Sequence, residues 1–222
     1  MKPSLTIPVA IIAGGIIVAV AVYVSMPKTA APGTDTPSLV RPVNASDHIL
    51  GNPAAPVLIV EYSDFDCEYC KAFHDTLHQI IANEGASGKV AWVFREFPLT
   101  EIHPTAFSHA RAAECVAQVA GNDAFWKFTN ALFAAQPADP AHYGVLAASI
   151  GISGNAFATC YSTASSTLDA RITADRQNAL DMGATGTPFS IILTNGKNPT
   201  VMAGGYSYDA VKQLVDQALL AN

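Results

Sequence analysis

The sequence predicts an α/β domain that carries an all-helical insertion and follows an N-terminal transmembrane helix. Three observations support this prediction. The chain opens with an uncharged, apolar stretch at residues 5–24. A strand, a helix and a second strand are indicated across residues 56–95, and helical patterns then occupy residues 104–182. Two short strands and a last helix close the chain, so the element order is βαβ, a block of helices, and ββα.

The uncharged stretch is long enough to cross a membrane, because twenty helical residues rise about 30 Å. A cleaved secretory signal peptide is the alternative, since Ala19-Val20-Ala21 is typical of a cleavage site. Apolar sequence continues to Val24, which is long for a signal peptide, so an uncleaved signal-anchor at residues 1–26 is favoured. Both readings place the remainder of the chain outside the cytoplasm, on the periplasmic or cell-surface side. The first makes it a single-pass protein of the cell membrane and the second a secreted or periplasmic one.

Residues 27–44 are rich in Pro, Thr, Ala and Ser and predict a flexible tether. The folded domain is then expected at residues 45–222. The formal net charge is −6, and no dense cluster of Lys and Arg occurs in the sequence. Nucleic acid is therefore not expected as a partner.

The βαβ part of the domain is indicated by two apolar runs on either side of a helical pattern. Residues 56–62 predict a buried strand, residues 67–83 a helix and residues 89–95 a second buried strand. The glycines at positions 85 and 88 end the helix. A connection of this length predicts that the two strands are parallel.

The helical block predicts five helices, at about residues 104–119, 123–135, 140–150, 154–161 and 166–182. Two strands follow at about residues 188–193 and 200–203, separated by the turn-like Asn195-Gly196-Lys197-Asn198. An amphipathic pattern from Tyr208 to Leu220 predicts the last helix.

The residues with the clearest chemical meaning are Cys67-Glu68-Tyr69-Cys70, directly after the first strand. Cysteines three residues apart occupy neighbouring positions on a helical turn, so their sulfurs can form a disulfide or bind a metal. A strand that leads into this turn favours the disulfide. The first thiol then lies at a helix N-terminus, where backbone N–H groups favour the thiolate.

The stretch Glu61-Tyr62-Ser63-Asp64-Phe65-Asp66-Cys67-Glu68-Tyr69-Cys70-Lys71 resembles the active-site segment of DsbA-like thiol:disulfide oxidoreductases. Further matches are Arg95-Glu96-Phe97-Pro98-Leu99, His103-Pro104, Gly186-Thr187-Pro188 and Gly204-Gly205. Together they extend from about residue 47 to the C-terminus. The resemblance implies a thioredoxin-like fold whose helical insertion spans about residues 104–182, here in a membrane-anchored member of the family.

The resemblance also implies a role for each site residue. Cys67 would be the attacking thiol and Cys70 the resolving thiol. Thr187-Pro188 would lie beside them with a cis peptide bond. Glu61, at the end of the first strand, would relay a proton to or from the resolving cysteine; the alternative is a glutamate that faces solvent.

The dipeptide between the cysteines departs from the Pro-His of the best-known oxidases. Glu68 and Tyr69 are therefore expected to tune the redox properties of the site. Glu68 is negative, and Asp64 and Asp66 lie nearby in the sequence. Like charges disfavour a thiolate, so the pKa of Cys67 is expected to be higher than with a histidine in this loop.

Two further cysteines, Cys115 and Cys160, lie in predicted helices of the insertion. If Cys67 pairs with Cys70, the remaining bridge is Cys115–Cys160, and related proteins sometimes carry a second disulfide in this domain. A structural disulfide would persist outside the cytoplasm. Two buried free thiols are the alternative.

A metal site is the main competing use of these residues. Cys70, His74 and His78 share one helix face, and with Cys67 they resemble a set of four ligands. Residues i and i+8 of a helix are about 12 Å apart, too far to bind one tetrahedral ion. No metal and no cofactor other than the redox-active disulfide Cys67–Cys70 is therefore expected. His103, His109 and His142 are expected to be capping or surface residues.

The sequence thus predicts an extracytoplasmic thiol-disulfide oxidoreductase that oxidises cysteine pairs in exported proteins through a mixed disulfide at Cys67. Its expected partners are those cysteine-containing substrates and a membrane redox protein that resets the active site. A disulfide reductase or isomerase is the alternative within enzymes. A metal-binding, metallochaperone-type module is the alternative from another class.

Overall fold

The computed structural model describes residues 40–163 and 165–221. In this part of the chain, five strands form one mixed sheet in the order β1-β3-β2-β4-β5. Strands β2 and β3 are parallel, and the other neighbouring pairs are antiparallel. The strands are β1 (His48–Gly51), β2 (Val57–Ser63), β3 (Val90–Glu96), β4 (Phe189–Thr194) and β5 (Lys197–Ala203).

The described helices follow the predicted order. Helix α1 connects β2 to β3, helices α2 to α6 form the insertion between β3 and β4, and α7 ends the domain. Their bounds are α1 (Glu68–Asn83), α2 (Ala106–Ala120), α3 (Asn122–Ala134), α4 (Tyr143–Ser149), α5 (Gly154–Thr163), α6 (Ser165–Asp181) and α7 (Tyr208–Leu220). The thioredoxin-like α/β fold with an all-helical insertion is therefore confirmed.

Strands β2 and β3 lie inside the sheet, and both of their faces are covered. All seven residues of each strand are buried. Ile59 and Trp92 belong to a large apolar cluster with α1 and most of the insertion, whereas Val60 and Val93 belong to a second cluster. Continuous apolar runs are typical of strands that are covered on both faces.

Strand β1 was not predicted from the sequence. It has only four residues, and only its first residue is buried. It pairs with the free edge of β3, where Ile49 lies opposite Val93. Asn122 holds it from the other side, since its side chain accepts from the N–H of Ile49 at 3.1 Å and donates to the Ile49 carbonyl at 2.8 Å.

The first described residues belong to the folded domain, although the sequence assigns them to the tether. Val40 is buried in the second cluster. The N–H of Arg41 donates to Asn178 at 3.1 Å, and the Arg41 side chain pairs with Asp175. The Arg41 carbonyl accepts from the buried guanidinium of Arg95 at 3.0 Å. Residues 40–44 are thus part of the domain, which corrects the predicted start at residue 45.

The predicted signal-anchor at residues 1–26 and residues 27–39 of the predicted tether lie outside the described residues. In the part of the chain that is described, no helix combines the length and the apolar character needed to span a membrane.

Candidate active site

The two cysteines of the Cys67–Cys70 segment lie where β2 leads into α1. Cys67 is the N-cap residue of α1, and Cys70 lies in its first turn. Both are free thiols in the structure, and both are buried. Residues Glu68 and Tyr69 between them are exposed, with Tyr69 65% accessible to solvent. A reacting partner would therefore approach the thiols across this exposed dipeptide.

Thr187 and Pro188 are brought beside the first thiol by the loop before β4. The Thr187–Pro188 peptide bond is cis, as the resemblance implies. The Cys67 thiol lies 3.5 Å from the Thr187 carbonyl, although 120 residues separate them in sequence. A cleft of about 270 Å³ borders this contact and is lined by Thr187, Pro188 and Gly204, among others.

The structure makes the two thiols chemically different. A hydrogen bond from the Cys70 thiol lowers the pKa of Cys67 to about 6, and Thr187 and the N–H groups of Tyr69 and Cys70 act in the same direction against the effect of burial. Burial raises the pKa of Cys70, and its hydrogen bond to Cys67 raises it further. Cys67 is thus the group that exists as a thiolate near neutral pH, and the thiolate is the nucleophilic form.

We expect the reduced protein to show one thiol that titrates with a midpoint of about 6, measured by ultraviolet absorbance of the thiolate. Because the pKa is lower in the folded state than in the unfolded state, this ionisation stabilises the reduced fold above the unfolded pKa. The gain is lost as the pH falls through about 6.

The Cys70→Ala and Cys70→Ser variants provide the control for this titration. Alanine removes the hydrogen bond that is the largest cause of the lowered pKa, so the midpoint of Cys67 should rise. Serine retains a hydroxyl donor and should raise the midpoint less. An unchanged midpoint in the alanine variant would show that Cys70 does not hold the pKa of Cys67 low.

Glu61 lies on β2 and is completely buried, so the alternative of a solvent-facing glutamate is wrong. The indole N–H of Trp92 donates to one carboxylate oxygen at 2.9 Å. The other oxygen has no hydrogen-bond partner among the described residues. Burial raises the pKa of Glu61 to about 8, so the side chain carries a proton at neutral pH. Trp92 was not singled out from the sequence, because its contact with Glu61 depends on the pairing of β2 with β3.

The acidic residues before Cys67 do not act as free charges. Asp64 is buried and lies 2.9 Å from Nδ1 of His103. Asp66 lies 3.0 Å from Nε2 of His109. Partial burial lowers the pKa of His103, but the hydrogen bond and charge of Asp64 and the charge of Cys67 outweigh this and raise it. The sequence-based expectation of a thiolate opposed by nearby carboxylates therefore leaves out the histidines that face them.

The prediction that His109 is a capping or surface residue is also wrong. Its side chain is completely buried in α2, and Nδ1 lies 2.6 Å from the hydroxyl of Tyr143. Burial of the ring next to an aspartate and a tyrosine could not be read from the sequence, because the three residues come from different elements.

Cys115 and Cys160 form a disulfide between α2 and α5, with Cα atoms 5.7 Å apart. Both belong to the large apolar cluster. Of the two alternatives, a disulfide or two buried free thiols, the structure thus contains the disulfide. In the described ranges, no group of three or more His, Cys, Asp and Glu side chains is arranged to bind a metal ion.

Comparison with known proteins identifies the family and the fold. The family model described as "Thioredoxin" matches residues 43–217. The crystal structure of oxidised BdbD from Bacillus subtilis has a TM-score of 0.69 and 25% sequence identity and covers 81% of this chain and 96% of its own. The structure of α-DsbA1 from Wolbachia pipientis has a TM-score of 0.69 and 23% identity, with the same coverage.

Curated relatives include a protein named Na(+)/H(+) antiporter NhaA 1 from Mycolicibacterium gilvum. It is 34% identical over 164 residues, which are 72% of this chain and 25% of that protein. The homologue of the same name from Mycolicibacterium vanbaalenii is 34% identical over 158 residues. The chain spans about a quarter of the length of these relatives.

Proposed function

The chain belongs to the thioredoxin family, and on this premise we propose that it is an extracytoplasmic thiol:disulfide oxidoreductase that oxidises cysteine pairs in exported proteins. The observation that carries the proposal is the Cys67 thiol, which has a lowered pKa and lies at the start of α1 beside the carbonyl of Thr187. Cys70, buried behind it, is suited to the role of resolving thiol.

The proposed reaction begins with the Cys67–Cys70 disulfide. A substrate thiolate attacks Sγ of Cys67, the bond to Cys70 breaks, and Cys70 takes up a proton. A second substrate thiolate then attacks the substrate sulfur of the mixed disulfide and releases Cys67 as a thiolate. Two electrons pass from the substrate pair to the enzyme pair. A membrane redox partner would remove them and restore the disulfide.

Two features favour an enzyme that oxidises its substrates over one that reduces them. The low pKa of Cys67 makes it a good leaving group and stabilises the reduced enzyme, which makes the disulfide more oxidising. His103 faces Asp64, and the raised pKa of its imidazole favours the charged form, which offsets negative charge near the thiolate. Both effects are absent from an unfolded peptide with the same Cys67–Cys70 sequence, because they depend on the fold.

Glu61 is suited to supply the proton that Cys70 needs. It is buried on β2, and its pKa of about 8 keeps it protonated at neutral pH. When Glu61 is ionised, its charge raises the pKa of Cys70, so the two buried groups interact. A buried carboxyl group with a raised pKa is able to give up a proton when the thiol takes one and recover it later. Proton transfer to the interior would otherwise require water to reach the buried sulfur.

The equilibrium reduction potential of the Cys67–Cys70 pair tests the proposal. We expect full-length protein, equilibrated with glutathione buffers, to give a value closer to about −120 mV, as for DsbA, than to about −270 mV, as for thioredoxin. A value at or below the thioredoxin value would contradict an oxidase and favour the reductase alternative. Metal bound stoichiometrically to the two thiols in anaerobically purified protein would favour the metallochaperone alternative.

We propose that the domain lies on the periplasmic or cell-surface side of a membrane, with exported proteins and a membrane redox protein as its partners. A membrane-anchored domain on the periplasmic or cell-surface side is consistent with the uncharged stretch at residues 5–24, and cleavage of that segment would give a secreted or periplasmic protein. The chain aligns with 25% of the first of the relatives that are named as antiporters, so no antiport activity is proposed for it.

A further inference from the structure

A cluster on the far side of α1 is not used by the proposed redox chemistry. His74 and His78 lie one turn apart on α1 and face Asn130 on α3. Nε2 of His74 is 2.7 Å and Nε2 of His78 is 2.8 Å from Oδ1 of Asn130, and the two ring nitrogens are 3.1 Å apart. Three polar atoms from two helices thus converge on one point.

Hydrogen bonds cannot satisfy all three contacts at once. If both ring nitrogens donate to the amide oxygen of Asn130, the two nitrogens lie 3.1 Å apart with no hydrogen bond between them. If His78 donates and His74 accepts, the lone pair of His74 faces the oxygen of Asn130 at 2.7 Å. Turning the amide round places the two nitrogen lone pairs against each other instead. A cation that accepts a lone pair from each atom satisfies all three contacts.

The separations fit the dimensions of a metal ion with nitrogen and oxygen ligands. The three atoms lie about 1.7 Å from a common centre in their plane, and zinc–nitrogen bonds are about 2.0–2.1 Å. An ion displaced by about 1.2 Å from that plane therefore reaches all three atoms. The cluster borders an open pocket of about 700 Å³, also lined by Lys71, Asp75 and Gln79, which leaves room for water ligands.

We propose that His74, His78 and Asn130 form a binding site for a divalent transition-metal ion, separate from the Cys67–Cys70 thiols. Imidazole ligands select ions such as Cu²⁺, Ni²⁺ and Zn²⁺, among which Cu²⁺ binds most tightly. The amide oxygen supplies a third ligand, and water completes the coordination. The site uses the i, i+4 histidine pair and needs no cysteine, so the 12 Å span that argues against a Cys70–His74–His78 set does not apply.

Aromatic side chains around the site hold His74 in place, and the tryptophans among them provide a fluorescence probe for metal binding. The His74 side chain is buried, with its ring centroid 5.0 Å from that of Trp92 and 4.6 Å from that of Phe133. The His78 ring lies 5.3 Å from Trp92 and 6.4 Å from Trp126. These are the two tryptophans of the chain. A paramagnetic Cu²⁺ ion at the site should therefore quench most of the tryptophan fluorescence.

The test uses full-length protein without an affinity tag, oxidised so that Cys67 and Cys70 cannot bind the ion. Titration with Cu²⁺ in a glycine buffer should quench the fluorescence with a stoichiometry of one. The electron paramagnetic resonance spectrum should show two imidazole nitrogens on the copper. His78→Gln should weaken binding at least about tenfold, and Asn130→Asp, which retains an oxygen ligand, should bind at least as tightly as the wild type.

His142→Gln is the matched control, because it removes an exposed histidine from another part of the insertion and should leave binding unchanged. Equal affinity of the His78→Gln variant and the wild type would overturn the proposal, as would a copper spectrum without two imidazole nitrogens. Since the spectrum is recorded on the wild type, the test does not depend on correct folding of any variant. Binding is measured on the oxidised protein, so the result is independent of the proposed redox activity.

Discussion

The Cys70→Ala variant is expected to accumulate mixed disulfides between Cys67 and its protein substrates. Cys67 retains its nucleophilic thiol in this variant, but the second thiol that would resolve the adduct is absent. The adducts should appear as high-mass species on non-reducing gels of cells that express the full-length variant. They should disappear on reduction, and turnover with a dithiol peptide should fall to the uncatalysed background.

The Cys67→Ser variant is the control for the trapping experiment. It retains the Cys70 thiol, but this thiol is completely buried and its pKa is raised, so it is a poor nucleophile. No adducts are expected. Adducts of equal abundance in both variants would contradict the assignment of Cys67 as the attacking thiol. Absence of adducts in the Cys70→Ala variant would contradict both an oxidase and a reductase.

Loss of the Cys115–Cys160 bridge should be the largest effect on stability. The bond closes a loop of 45 residues between α2 and α5. In the chain-entropy description, removing such a cross-link lowers the free energy of unfolding by about 4 kcal/mol, because the unfolded chain regains conformational freedom. Both residues are buried in the large apolar cluster, and alanine avoids placing a hydroxyl group there. Urea unfolding of the full-length protein, with the Cys67–Cys70 disulfide intact, measures the loss.

Single and double variants distinguish the free energy lost with the cross-link from that lost through local packing defects. Cys115→Ala, Cys160→Ala and the double variant should lose nearly the same free energy, because breaking either end of the bridge removes it. Additive losses would indicate two independent packing defects instead. A double variant that loses less than about 1 kcal/mol would contradict a stabilising role for the bridge.

Much of the fold could be predicted because the decisive signals are local in the sequence. Strands β2 and β3 are continuous apolar runs, and both are buried along their whole length. The apolar stripe of α7 gave its bounds, Tyr208–Leu220, without error. Strand β1 is short and mostly half-exposed, so its pairing with β3 left no such signal.

The start of the domain could not be predicted for a related reason. The composition of residues 27–44 is that of a linker, and composition does not show which backbone carbonyls will find a buried donor. Arg95 is completely buried and donates to the carbonyls of Arg41 and Pro42 at 3.0 and 3.4 Å. It also pairs with Asp47. A buried guanidinium needs these partners, and so it binds the segment that precedes the predicted start.

The sequence by itself predicts which atoms react and in which order. Two thiols three residues apart at the start of a helix require no distant partner to be recognised. The tertiary structure decided how acidic and how accessible those thiols are. Thr187 reaches Cys67 across 120 residues, while His103, in the loop before α2, and His109, on α2, face Asp64 and Asp66. The physical reason is that a pKa depends on burial and on neighbours in space, which folding brings together from separate parts of the chain.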